Sequence, residues 1–513
     1  MHARTWFPNR WAAAAIAAIV MAVAGPLAAQ ASPYIPLDDP SLPLFEHLVA
    51  RGEVEDPTPM VRPFRRIDAV RALRTADSIA GGTGAGAVGE LLRRWTDRDE
   101  SRWWRGEVRA GGQAFTAARR DPLHPGGPED AAVYAEARVD VAVGPIMLVS
   151  RLVDEPRIRQ DPDWTGTVRE VPNVLCCGWR YPDAYISAQA DWGSVFYGQV
   201  ARNWGPTGVP GIGVSDVGYP RPEIGFEVRT RDLHLLSTAA QLEDAADSTG
   251  ALVHRYFFTH RIGVRLGRRL QVAGWETTVI AGRDREFDGR YRNPLTLGIL
   301  GNLYGFSDRG NILVGLDVRW RPVDAVTVEA QLALDDLATR NSFEGHPSRY
   351  AFTLGARGPL GGRAAWRAVY TQASSLAFRT FNPFENLSDA GVGLGRNFAD
   401  NDQATLAVGV PLRGRWLVTP ELTLLRQGEG RITAPYPGTR EDRLATPALF
   451  IGTVERTWRA AVGISGQEGP LAVRADAGFH HVENAGHLAG VTDDRFEARI
   501  TATLGIWRSG RLR

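Results

Sequence analysis

Arginine and aromatic side chains are concentrated in one short stretch, where together they have the chemistry to bind an acidic sugar. Residues 197–206 read Tyr-Gly-Gln-Val-Ala-Arg-Asn-Trp-Gly-Pro, and Trp192 lies just before them. Flat aromatic faces pack against sugar rings, and the guanidinium group of arginine binds carboxylates through paired hydrogen bonds. We therefore take Arg202, Trp204, Trp192 and Tyr197 as candidate polysaccharide-binding residues.

The same residues also have a structural interpretation, which is the commoner role for any one of them. Trp204-Gly205-Pro206 suits a strand end or a constriction, and the Gly/Pro-rich segment continues to Pro220-Arg221-Pro222. Trp192 and Tyr197 suit the aromatic girdles that border the apolar band of a membrane barrel. The sequence leaves both interpretations open.

Other motifs lack the context that their chemistry requires. Residues 84–89 match GxGxxG, but no predicted strand precedes them and no βαβ unit surrounds them. Residues 213–218 and 305–310 share Gly-x-Ser-Asp-x-Gly, which is not a GxSxG nucleophile elbow and predicts loop turns. Three histidines lack partner carboxylates at a recognisable metal-ligand spacing: His480, His481 and His487. We therefore predict no catalytic residue, no metal, no cofactor and no enzymatic activity.

The elements that position the candidate residues are predicted to be β-strands. Between Asn311 and Asp335, apolar residues occupy every second position on both sides of a turn at 321–324. The intervening positions carry polar residues such as Asp317, Arg319 and Glu329. A period of two indicates a strand with one apolar and one polar face, as in a membrane barrel with lipid outside and water inside.

The same alternation recurs along the chain, at 133–143, 224–228, 406–410, 471–477 and 498–506. A strand with its connection uses roughly 20–25 residues, so residues 102–513 would hold about 16–20 antiparallel strands. Short turns at 360–362 and 413–414 are expected on the periplasmic side, and longer polar stretches at 283–293, 341–348 and 382–402 are expected as extracellular loops. The lumen of so wide a barrel would be aqueous or plugged.

The N-terminus is typical of an exported protein. Arg4 and Arg10 precede an apolar stretch, 11–24, and Ala29-Gln30-Ala31 follows as an A-x-A cleavage site. This order predicts a signal peptide over residues 1–31, removed after Ala31. A retained membrane anchor is the less favoured alternative because the apolar stretch is short.

Residues 32–101 are predicted to form a small helical domain in the periplasm, ahead of the barrel. Apolar residues recur at helical spacing within 44–49, 64–73 and 88–95, and Gly52 is expected to end the first helix.

Charge and cysteine content exclude other classes. The 513 residues carry 59 basic and 58 acidic side chains, and this balance gives no reason to expect a nucleic-acid partner. The two cysteines, Cys176 and Cys177, are adjacent, rarely pair with each other in a strand, and are interpreted as structural.

Taken together, these motifs resemble the Wzi-type capsule-assembly family. The resemblance rests on the Trp204-Gly205-Pro206 segment with its Pro-rich strand start, on Asn311, Asp317 and Leu334-Asp335-Asp336 of the hairpin, and on the layout of residues 34–77. It implies an outer-membrane barrel with a periplasmic helical part that holds acidic capsular polysaccharide as a lectin. Its implied partners are that polysaccharide, outer-membrane lipid and the polysaccharide export machinery. The chain departs from a common outer-membrane pattern because it runs past Trp507 to Arg513 without a terminal aromatic.

Two other functions remain as alternatives. A passive porin or solute channel would use the charged strand faces to line its lumen. An outer-membrane hydrolase ranks last, because no spacing singles out a nucleophile and a base.

Overall fold

A closed ring of antiparallel strands makes up most of the molecule. The computed structural model describes residues 30–96, 102–164, 178–293, 295–299, 310–336 and 347–512. The ring has eighteen strands, within the predicted range, and it closes where β1 pairs antiparallel with β18. The strands are: β1 Arg102–Phe115, β2 Asp130–Val143, β3 Ile146–Asp154, β4 Trp179–Ala190, β5 Gly193–Gln199, β6 Glu223–Arg229, β7 Leu233–Gln241, β8 Leu252–Leu266, β9 Leu270–Gly282, β10 Asn311–Val323, β11 Val326–Asp336, β12 Arg349–Leu360, β13 Ala364–Ala373, β14 Asn401–Leu412, β15 Trp416–Gln427, β16 Glu455–Glu468, β17 Leu471–Glu483 and β18 Thr492–Arg511.

The alternating pattern sorts side chains between the two faces of this wall. In the hairpin of β10 and β11, Leu316 and Trp320 are 44% and 48% exposed on the outer face. Asp317, next to Leu316 in sequence, and Glu329 on the facing strand are 1% and 3% exposed and point into the barrel. The outer face is therefore apolar, and the chain has the fold of an outer-membrane β-barrel, as predicted.

Short turns and long connections lie at opposite ends of the ring. The turns at 361–363 and 413–415 join neighbouring strands at one end, which we call the short-turn mouth. The ends of β9 and β13, from which two of the predicted longer loops start, lie at the other end, the long-loop mouth, together with residues 283–293 and 374–400. Both chain ends of the barrel, at β1 and β18, open on the short-turn mouth.

Three helices form at the predicted places before the barrel: α1 Leu42–Ala50, α2 Arg66–Ile79 and α3 Gly86–Trp95. They share a core in which the ring of Phe45 lies 5.1 Å from that of Phe64 and 5.5 Å from that of Trp95. Burying each such side chain stabilises the domain by about 1.5–3 kcal/mol. Among the described residues, none of the helices is both long and apolar enough to cross a bilayer.

The helical domain is seated in the short-turn mouth. Asp38 pairs with Arg151 of β3, and Asp56 lies 3.8 Å from Arg357 of β12. These two strands are nine positions apart in a ring of eighteen, on opposite walls. The domain therefore spans the lumen at this end.

Some predictions fall on residues outside the described ranges: most of the signal peptide, the loop at 341–346, the motif at 305–310 apart from its last glycine, and both cysteines, Cys176 and Cys177.

Candidate functional site

The motif-bearing connection between β5 and β6, residues 200–222, folds into the barrel, and we call it the inserted segment. Trp204 donates its backbone N–H to the carbonyl of Val214 at 3.0 Å, which closes the segment on itself. The next residue, Gly205, donates to the carbonyl of Met60 at 2.9 Å, while Val61 pairs with Trp204 as a short antiparallel bridge. The inserted segment thus meets the helical domain inside the lumen.

The tip of the inserted segment reaches the wall at β11. The side-chain oxygen of Gln331 accepts the N–H of Ile212 at 2.8 Å, and its amide donates to the carbonyl of Trp204 at 3.0 Å. A Cβ on Gly205, whose φ is +153°, would stand 2.7 Å from that same side-chain oxygen, so only glycine fits. Glu329 accepts the N–H of Thr207 at 3.1 Å. The segment therefore crosses from β5 to the distant wall and constricts the lumen.

The structure does not bring the four predicted binding residues together. Arg202 and Trp204 are 7% and 2% exposed. Arg202 pairs with Glu223 and stacks 4.4 Å from the ring of Phe196. The cavity beside Arg202 is about 10 Å³, barely the space of one water molecule and too small for a sugar ring.

Trp192 and Tyr197 lie elsewhere. Trp192 occupies the turn between β4 and β5 at the short-turn mouth, and Tyr197 is 62% exposed on the outer face of β5. These positions match the girdle interpretation, and the polysaccharide-binding role of the four residues stays a prediction.

The remaining sequence motifs are placed as loops or structural contacts. Residues 213–218 belong to the inserted segment, and residues 84–89 cover the end of the connection after α2 and the first turn of α3, so a helix and not a strand precedes them. His480 is buried against the carbonyl of Pro122 at 2.8 Å, and His481 pairs with Asp494 on the opposite face of β17. No group of metal-ligating residues occurs in the part of the chain that the structure describes.

At the long-loop mouth, two connections are tied together by one buried carboxylate. These connections, residues 374–400 and 428–454, are called the rim loops. The carboxylate of Asp400 accepts backbone N–H groups from Gly430, Phe450 and Ile451, at 2.9, 2.5 and 2.9 Å. Hydrogen bonds to a charged acceptor are each worth about 1.5–3 kcal/mol, so this residue fixes the relative position of the two loops.

The rim loops combine aromatic rings with a cation in what we call the first rim group: the exposed Phe381, the half-buried Tyr436 and Arg443, which is 8% exposed. The rings of Phe381 and Tyr436 are 4.6 Å apart, and the guanidinium of Arg443 lies 5.0 Å from the ring of Phe381. Arg443 is held by the carbonyl of Gly438 at 2.9 Å. Phe381 remains 50% exposed, so the part of its ring that Arg443 and Tyr436 leave uncovered can contact a ligand next to a fixed positive charge.

A second rim group of the same composition forms where three other connections meet: Arg120, Asp161, Trp164 and Tyr219. The guanidinium of Arg120 lies 4.4 Å from the ring of Tyr219, and that ring meets Trp164 edge-on at 4.7 Å. Burial raises the pKa of Tyr219, so its hydroxyl stays protonated and donates to Asp161 at 3.2 Å. The sequence analysis did not predict either rim group. Residue 381 comes directly before the extracellular loop that was predicted to begin at residue 382.

One acidic residue of the rim loops is expected to respond to pH near neutrality. Burial raises the pKa of Glu385 to about 7, while its carboxylate accepts the N–H of Ala281 at 3.3 Å. A raised pKa means that the folded loop favours the protonated form of Glu385. The contribution of Glu385 to the stability of the loop is therefore complete below the unfolded pKa of 4.5 and is lost as the pH rises through about 7.

We expect Glu385→Gln to stabilise the rim loops by about 1–2 kcal/mol at about pH 8, after discounting for partial exposure, and to change little at about pH 5. Hydrogen exchange of residues 374–400 in detergent measures this. Glu441→Gln, at an exposed position of the neighbouring loop, is the matched control. An equal gain in the stability of the rim loops at both pH values would contradict the raised pKa of Glu385.

A separate cleft of about 670 Å³ lies on the wall formed by β16–β18 and β1. Small and aliphatic side chains, including Ala114, Val462, Ala475 and Ile500, line most of it. Neither rim group borders it, and its lining suits an apolar molecule better than a sugar.

Comparison with known proteins shows similarity in fold. No family model matches the chain, and no curated protein matches it. Among solved structures, Wzi of Escherichia coli, described as an outer-membrane protein involved in group 1 capsule assembly and a carbohydrate-binding β-barrel, superposes with a TM-score of 0.60 at 14% identity, covering 93% of this chain and 99% of Wzi. The resemblance to the Wzi-type barrel is thereby confirmed at the level of the fold.

Other solved structures also align with the barrel. OccAB1 of Acinetobacter baumannii has a TM-score of 0.45 at 9% identity and covers 80% of this chain and 97% of its own. OpdQ of Pseudomonas aeruginosa has a TM-score of 0.39 at 11% identity and covers 79% of this chain and 97% of its own.

Proposed function

We propose that this protein is a closed outer-membrane barrel that binds an acidic capsular or exopolysaccharide at its long-loop mouth. The observation that carries the proposal is the combination of a lumen occupied by the chain's own residues with aromatic–arginine groups on the rim. A lumen crossed by the helical domain and the inserted segment is suited to a binding protein rather than to an open pore. The carbohydrate-binding activity in the description of Wzi, which shares the fold, supports the same function.

The orientation follows from the barrel. Short turns of outer-membrane barrels face the periplasm and long loops face the outside. We therefore place the helical domain in the periplasm, after removal of the signal peptide, and both rim groups at the cell surface. The apolar outer face contacts outer-membrane lipid, and the polysaccharide export machinery is the partner expected at the periplasmic side.

In this proposal the rim groups bind sugar without catalysis. The exposed face of Phe381 stacks on a sugar ring, and the guanidinium of Arg443 faces an acidic substituent of the same or the next residue. Wide spacing between the two rim groups would suit a polymer better than a monosaccharide, because a chain can occupy both at once.

The experiment is a comparison of acidic and neutral glycans on detergent-purified protein. We expect oligogalacturonate to bind and dextran oligomers not to bind in isothermal titration calorimetry. Combining Phe381→Ala with Arg443→Gln removes a stacking face and a cation, each worth about 1 kcal/mol, and should weaken binding about tenfold or more. Arg440→Gln, an exposed arginine of the same loop, is the matched control.

Equal binding of both glycans, or an unchanged affinity in the double variant, would refute this location of the site. A passive channel, which the charged lumen-facing side chains motivate, is the competing function, and the conductance experiment in the Discussion decides between the two.

A further inference from the structure

One buried arginine in the long-loop mouth has neither an ion pair nor a side-chain hydrogen bond among the described residues. Arg396 is 5% exposed and lies between a rim loop and the inserted segment, where its backbone N–H donates to the carbonyl of Ile212 at 3.3 Å. Within the part of the chain that the structure describes, its guanidinium has no carboxylate partner, and its Nη1 is buried without a hydrogen bond. Arg151, by contrast, contacts three carboxylates.

A buried guanidinium without a carboxylate partner is unfavourable unless a ligand pairs with it. Guanidinium carries five N–H donors, and an uncompensated buried charge costs several kcal/mol. Burial lowers the pKa of Arg396 to about 10, which leaves the group charged at neutral pH. A position that breaks the pairing rule and is still occupied by a cation is of the kind found at binding sites.

The acidic residue of the preceding hairpin, Asp389, pairs with other arginines. Arg396 follows a two-stranded hairpin, Ser388–Asp389 with Val392–Gly393. Asp389 of that hairpin is shared by two further arginines, Arg221 and Arg255, at 3.7 and 3.8 Å, beyond hydrogen-bond distance in both cases. Asp389 is therefore engaged by these two arginines and does not pair with Arg396.

We propose that Arg396 is the core of an internal anion site, which takes the carboxylate or phosphate group of an acidic saccharide between the rim loop and the inserted segment. The inference rests on the proposed function for the nature of the ligand, and on Arg396 itself for the site. The anion completes the donors that the fold leaves unpaired, so binding locks the two connections together.

The test combines stability and binding measurements on the full-length protein in detergent. Arg396→Met removes the charge while keeping an apolar stem, and Arg396→Lys keeps a charge. We expect Arg396→Met to melt at a higher temperature than the wild type without ligand, because the unpaired buried charge is gone. Inorganic phosphate should raise the melting temperature of the wild type and leave that of Arg396→Met unchanged. The affinity for oligogalacturonate should fall about tenfold or more in Arg396→Met, because the rim groups then bind it without the internal site.

The outcomes separate this site from the proposed function. Retained phosphate-dependent stabilisation in Arg396→Met overturns the anion site, whatever happens at the rim. Phosphate-dependent stabilisation that needs Arg396 while oligogalacturonate fails to bind supports the site and refutes the polysaccharide function. If Arg396→Met and Arg396→Gln both fail to fold while Arg396→Lys folds without responding to phosphate, the arginine is structural and the proposal is wrong.

Discussion

Replacing Arg151 by alanine is expected to destabilise the seated helical domain by about 3–5 kcal/mol, because it leaves three carboxylates without their cation. The guanidinium of Arg151 contacts Asp38 at 2.7 Å, Glu136 at 3.0 Å and Asp183 at 3.2 Å. Its side chain is only 6% exposed, so water cannot replace it readily. The loss should appear as faster hydrogen exchange and proteolysis of residues 32–96 while the strands stay protected.

A matched variant tests whether the burial of Arg151 is the cause of the large loss of stability. Arg93 also pairs with a carboxylate, Glu90, but its side chain is 61% exposed, so Arg93→Ala should cost no more than about 0.5 kcal/mol. Adding Asp38→Ala to the Arg151→Ala variant should recover part of the loss, since one unpaired charge is removed. A loss below about 1 kcal/mol in Arg151→Ala would show that this network does not hold the domain.

The same pair predicts sensitivity of the helical domain to acid. Burial raises the pKa of Asp38, but the attraction of Arg151 outweighs it and holds that pKa well below the ordinary value of 3.8. The stability from this pair is therefore present above about pH 4 and is lost as the pH falls through the folded pKa. Hydrogen exchange of residues 32–96 should accelerate below about pH 4 in the wild type and show a weaker acid dependence in the Arg151→Ala variant.

The elements of this fold could be predicted because their signals are local. A period of two places Leu316 outside and Asp317 inside from the sequence alone, and the number of strands follows from chain length and connection length. The three helices carry their own apolar stripes. These features depend on neighbours within a few residues, so one sequence is sufficient.

The site could not be predicted in the same way because its contacts join distant parts of the chain. Phe381 meets Tyr436 only after two rim loops fold together around Asp400. Arg202 looks like a sugar ligand in a linear motif, yet the fold pairs it with Glu223 in a nearly filled space. Whether an arginine is paired or free is a property of tertiary packing, which periodicity does not encode.

The strongest functional prediction follows from the contacts that cross the lumen. The helical domain joins opposite walls through Arg151 and Arg357, and the inserted segment crosses to Gln331. Because an eighteen-stranded ring would otherwise enclose an aqueous channel, these two layers are expected to keep ion conductance low.

Planar-bilayer recordings measure this directly. We expect the wild type to show little or no conductance, and a variant that lacks residues 32–96 together with a Gly-Ser bridge in place of 206–219 to show steps at least about tenfold larger. A variant that lacks only the rim helix Arg440–Ala445 is the control, since that helix is outside the lumen layers, and its conductance should match the wild type. Large conductance steps in the wild type would show that the lumen is open to ions. That result would establish the channel function instead.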